Sequence, residues 1–197
     1  RDTGYEPGDG LEVYATGGQE RVELLWLEGG APLAQRAGRG YATYAGWIPP
    51  EWDSASLIVK STSNSSSGEE RFDMDRVSFS CYGLYPVLAF SSFDEPAAGA
   101  TSYAPGPTAS ELGFHTTSTA TGGASPLVGI VEVEPVLGVK VLSQSSVAAT
   151  TTFDSVDLSG RKEVRATVVL RVWDTGYEEE DFIKVEATSG AERRPPA

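Results

Sequence analysis

The sequence predicts an all-β protein, an antiparallel sandwich of two sheets with little helix, and three observations predict it. Apolar and polar residues alternate with a period of two in "RVELLWL" (21–27), "SLIVKST" (56–62), "FDMDRVSFS" (72–80) and "VRATVVLRVW" (164–173), which is the pattern of strands with one wet face. No segment sustains the three-and-four apolar spacing of an amphipathic helix. The chain of 197 residues has 22 Gly and 12 Pro, and with many Ser and Thr they supply a turn signal after each alternating run. Further strands are expected at 87–91, 127–133 and 138–143. Residues 97–110 and 116–126, built from Ala, Gly, Pro, Ser and Thr, read as loops, and helix is limited to a turn near 49–55.

The sequence repeats itself once. Residues 2–18, "DTGYEPGDGLEVYATGG", align without a gap to residues 174–190, "DTGYEEEDFIKVEATSG", with ten identities in seventeen positions at a spacing of 172 residues. In both copies an acidic turn leads into an alternating run: Leu11, Val13 and Ala15 share one face, as do Ile183, Val185 and Ala187. The chain therefore reads as one period of a tandem repeat plus a short overlap, a fragment or processed piece of a longer protein. A unit boundary is expected near 83–88, where "FDMDRVSFSCYG" ends and "VLAFSSFDEPAAG" begins. On that reading residues 1–85 are the C-terminal portion of one module and residues 86–197 the N-terminal portion of the next. Together they supply one full set of strands, either as one compact, permuted sandwich or by completing neighbouring chains. The tail, 191–197, lacks any periodic pattern and reads as disordered.

Charge and cysteine content exclude several functions. With 28 Asp and Glu against 15 Lys and Arg the formal net charge is -13, and binding to nucleic acid, which requires clustered cations, is not expected. The single cysteine, Cys81, rules out a disulfide within the chain and a cysteine-rich zinc site. The longest apolar stretch, around "YPVLAF", is too short to span a bilayer. His115 is the only histidine and no nucleophile motif accompanies it, so no catalytic residue is assigned and the chain is not expected to be an enzyme.

The order of motifs adds a resemblance. "FDE" at 93–95, then "VDLSG" at 156–160 leading into a long strand, then "YEEEDFIKV" at 177–185, and in the other portion the closing "FDMDRVSF" at 72–79, are similar to the jelly-roll modules of secreted multidomain proteins, the MAM and laminin-G-like group and several carbohydrate-binding modules. The resemblance covers most of the chain. It implies a jelly-roll topology, an extracellular or cell-surface location, and a structural calcium held between the opening and closing acidic strands. The matching positions are Asp73, Asp75, Asp94 and Glu95, and a second acidic set is Glu178, Glu180 and Asp181. Hard carboxylate oxygens suit Ca²⁺; the same residues also serve as turn formers and solvated charges.

Two further sets of residues bear on binding. Trp26, Tyr41, Tyr44, Trp47 and Trp52 concentrate aromatic surface in the first portion, suited to core packing, to stacking on sugar rings, or to contact with a neighbouring subunit. Asn64 begins an Asn-Ser-Ser glycosylation acceptor in a polar loop. The expected function is a non-enzymatic structural or adhesive repeat module of a larger surface or filament-forming protein, its partners being neighbouring repeats or subunits. The alternative is a carbohydrate-binding module that holds glycans on exposed aromatics.

Overall fold

The structure, a computed structural model, describes residues 20–28, 40–62, 71–82, 87–106, 111–120, 127–133, 140–145, 147–173 and 181–189. Among these the chain forms thirteen strands in two antiparallel sheets and no helix. In chain order they are β1 (Arg21–Glu28), β2 (Ala42–Trp47), β3 (Ser54–Thr62), β4 (Arg71–Cys81), β5 (Val87–Ser91), β6 (Ser102–Tyr103) and β7 (Phe114–Ala120). Then come β8 (Leu127–Glu132), β9 (Lys140–Ser145), β10 (Val147–Phe153), β11 (Val156–Asp157), β12 (Val164–Val172) and β13 (Phe182–Ser189). No helix among the described residues is long and apolar enough to cross a membrane.

The first sheet runs β1-β13-β3-β10-β7-β6 with β11 against β3, and the second runs β2-β12-β4-β9-β8 with β5 against β4. Four of the pairings are nested: β1 with β13, β2 with β12, β3 with β10 and β4 with β9. The nested strands therefore wind as one long hairpin rolled around a core, with β1 to β4 falling alternately in the two sheets and their partners β13, β12, β10 and β9 doing the same. That is a jelly roll. The boundary expected near 83–88 falls between β4 and β5, which are paired neighbours in one sheet, and strands from both sides of it interleave throughout.

The inward row of each strand makes the core. Leu57 and Val59 of β3, Val168 and Leu170 of β12, and Ile183 and Val185 of β13 are buried, as the alternation requires. At one end Phe93 packs edge to face on Phe114 and Phe153, which are tilted to each other, with ring centroids 5.6–6.2 Å apart. Gln144, on β9, crosses the core. It accepts a hydrogen bond from Ser61 Oγ at 2.8 Å and donates through Nε2 to Thr151 Oγ1 at 2.9 Å. Thr151 Oγ1 is in turn 2.8 Å from Thr116 Oγ1. All four side chains are buried, so this satisfied polar chain fixes the register of one sheet over the other.

The loop expected at 116–126 is corrected. Phe114–Ala120 is a strand: β-branched Thr116 turns inward to Thr151 and Thr117 and Thr119 lie along the sheet. The turn expected near 49–55 forms, with the Trp52 amide donating to the Pro49 carbonyl, before β3 starts at Ser54. Alternation along "FDMDRVSFS" puts Phe72 and Met74 on one face and Asp73 and Asp75 on the other, and it breaks after Asp75. The register shifts between Val169 and Leu170 of β12, so that Leu170 faces Met74 and Val169 faces Arg76, leaving Asp75 as the extra residue of a β-bulge. Inward residues are Phe72 and Met74 before the bulge and Val77 and Phe79 after it.

The "VDLSG" segment is turn chemistry. Asp157 Oδ1 accepts the amide of Ser159 at 2.9 Å, and Gly160 takes φ +70°, where a side chain would be strained, before β12 begins.

Candidate functional site

Each sheet carries one cluster of charged and aromatic side chains on its outer face. On the first sheet the centre is Glu186, buried on β13. Its carboxylate meets Lys184 Nζ at 3.0 Å, Arg21 Nη1 at 3.3 Å and Lys60 Nζ at 3.7 Å. Burial pushes the Glu186 carboxyl up, but the hydrogen bond and charge of Lys184 and the charges of Arg21 and Lys60 outweigh it, and the pKa is lowered. Lys184 also reaches Glu23 at 3.4 Å and lies 5.0 Å over the ring of Trp26, which stacks on Phe182 with centroids 5.5 Å apart.

On the second sheet the centre is Asp73, fully buried on β4. Arg71 Nε donates to Oδ1 at 2.8 Å and Arg71 Nη2 to Oδ2 at 3.0 Å, Ser143 Oγ donates to Oδ1 at 2.6 Å, and Trp173 Nε1 donates to Oδ2. Arg171 lies 3.5 Å over the Trp173 ring and Arg71 5.1 Å from its centroid. Tyr41 sits in the same field: burial, then the negative charges of Asp73 and Asp75, raise its phenol above the usual value against the pull of Arg171 and Arg71.

The four carboxylates expected to share a calcium ion do not converge. Asp73 has its two oxygens occupied by four donors. Asp75 is buried in the bulge, and burial, reinforced by the charge of Asp94, raises its pKa while Arg76 opposes. Asp94 and Glu95 are exposed. The carbonyls of Asp94 and Pro96 accept from Lys140 Nζ at 2.8 and 2.9 Å, so an ammonium already takes oxygens that a calcium cage would use. Among the described residues no group of three or more His, Cys, Asp and Glu comes together as a metal site. In the second acidic set Asp181 is buried, while Glu178 and Glu180 lie outside the described residues, as does Asn64.

The five aromatics are likewise dispersed. Trp52 is in the core with its indole N–H on Glu20, Tyr44 packs against the core, Tyr41 belongs to the Asp73 cluster and Trp26 to the Glu186 cluster. Only Trp47 is prominently exposed, at 52%, and its edge-to-face partner at 5.6 Å is Tyr82, exposed at 67%. Tyr82 and Trp173, the latter 40% exposed, are the surface aromatics that sequence reasoning missed. Trp173 ends an alternating run on the outward parity, a signal that could have found it. His115 is exposed on β7 opposite Thr152 and Ser102, and Cys81 packs against the core edge.

No family model matches this chain, and no curated protein or solved structure matches it significantly.

Proposed function

We propose that this jelly roll is a non-enzymatic module of an extracellular array, a structural or adhesive repeat akin to the sandwich modules of secreted multidomain proteins. The observation that carries the reading is the duplicated segment. A sequence of seventeen residues recurs at a spacing of 172, and its second copy runs into β13, a strand flanked by partners on both sides in the first sheet. Such a duplication is what tandem units produce. The charged side chains are in keeping with it: the buried carboxylates of Asp73 and Glu186 are engaged by donors from neighbouring strands and hold those strands together.

The test is surface labelling. An antibody raised against the folded chain should stain intact, unpermeabilised cells of the source organism, with the antigen in high-mass assemblies after mild extraction. Signal confined to lysed cells would overturn the reading. Calcium is left out of this proposal, because the oxygens of Asp73 and the carbonyls of Asp94 and Pro96 already have protein donors.

A second reading, glycan binding, is favoured by the exposed Trp47–Tyr82 pair, since a sugar ring stacks on an aromatic face that water does not hold. Retention on an immobilised polysaccharide, lost in Trp47→Ala and Tyr82→Ala, would promote it over the first.

A further inference from the structure

The repeat and the strand order together fix a frame that neither gives alone. In the first sheet β13 lies between β1 and β3, with Phe182–Ser189 facing Arg21–Glu28 on one side and Ala55–Thr62 on the other. Its inward residues Ile183, Val185 and Ala187 are completely buried. The alignment places residues 10–17 on 182–189, so that Leu11, Val13 and Ala15 take the positions of those three. Past its first seventeen positions the alignment keeps two of seven pairs, Glu20 and Arg21 with Glu192 and Arg193. In the first copy, then, the β13-like sequence is followed after three residues by Arg21, the start of β1.

Space agrees with this order. The amide of Ser189 at the end of β13 donates to the carbonyl of Glu20 at 3.1 Å, and Arg21 faces Thr188. The jelly roll thus begins and ends at one corner, where a three-residue joint is long enough to pass from one unit to the next. A frame of 19–190 keeps all four nested pairs, β1 with β13, β2 with β12, β3 with β10 and β4 with β9, inside one unit. A boundary at residue 86 would divide every one of them.

One jelly roll has one slot between β1 and β3, and here β13 fills it. We infer that residues 10–17 carry the sequence of a second β13, fitted to the β1–β3 slot of another jelly roll of the same kind, and that residues 19–190 are the repeating unit. The inference rests on the repeat reading above and adds its frame and its partner. Charge is compatible: Glu12 takes the place of Lys184, which faces Lys60 across β3, and Tyr14 takes the place of Glu186 beside Arg21. Glu12 also comes beside Glu23, the present partner of Lys184, so the fit is looser in this unit's own slot than in one that evolved with it.

The test exchanges the strands within the full chain. Residues 182–189 are replaced by the sequence of residues 10–17, and a control carries the same eight residues displaced by one position so that the apolar row points outward. The chimera should keep a cooperative melting transition and a native near-ultraviolet dichroism, at a lower melting temperature, while the control loses both. The two glycines that replace Phe182 and Ser189 could unfold the chimera by themselves, so Ile183→Leu, Lys184→Glu and Glu186→Tyr are combined in a companion variant that keeps the flanking residues. Loss of cooperative folding in both chimera and companion overturns the inference. That outcome leaves surface labelling untouched, so the frame and the array reading fail separately.

Discussion

The outer faces of the two sheets solve one problem in different ways. Each holds a carboxylate out of water, and each places a tryptophan against cations nearby. On the first sheet Glu186 is served by three cationic side chains from three adjacent strands, β1, β3 and β13. On the second, Asp73 is served by one guanidinium and two neutral donors, and two residues further on Asp75 is buried with Arg76 as its counter-charge and Asp94 in opposition. The difference teaches that burial alone does not set the charge state. Partners on neighbouring strands keep Glu186 ionised, whereas the bulge holds Asp75 where its ionised form is disfavoured.

Four experiments break or sharpen that comparison. Asp73→Ala has the largest expected effect, because Arg71, Ser143 and the Trp173 indole lose a common buried acceptor, and denaturant unfolding should show a loss of about 3–5 kcal/mol. Glu186→Gln comes next. Its cationic partners are partly exposed and screened by water, so a loss of about 1–2 kcal/mol at neutral pH is expected from the same measurement. Asp75→Asn should move the other way, raising stability at pH 7 by up to about 1 kcal/mol, since the amide removes the cost of a charge in the bulge. The smallest effect is expected from chelation: melting should be unchanged by a chelator, because Lys140 and the donors around Asp73 already occupy the oxygens in question. A clear drop on chelation would give the acidic set back to calcium.

Strands with strict alternation were legible because one wet face and one dry face leave the same imprint on sequence as on structure; β3 and β12 are cases. Strands built from small or β-branched polar residues were not. Both β7 (FHTTSTA) and β10 (VAATTTF) have the composition of a linker, and only their pairing with each other makes Thr116 and Thr151 inward residues. Pairing order is likewise a property of distant segments, so the jelly-roll winding came from resemblance and not from periodicity. Among the site residues, the extra residue at Asp75 was not legible in advance: it resets the parity, so that Val77 and Phe79 return to the side of Phe72 and Met74. The aromatics separated for a related reason: Trp47 and Trp52 are five residues apart, but the turn at 49–51 sends one to the surface and the other to the core.

The most direct test of these opposed fates is stability as a function of pH in Glu186→Gln and Asp75→Asn against the parent chain. Glu186 has a lowered folded pKa, so its contribution is present above pH 4.5 and disappears as pH falls through the folded value. Asp75 has a raised one, so its cost is absent below pH 3.8 and develops as pH rises through the folded value. The two difference curves should lie on opposite sides of the parent at pH 7 and converge toward it in acid; curves of the same sign at pH 7, or parallel from pH 7 to pH 3, would contradict the account.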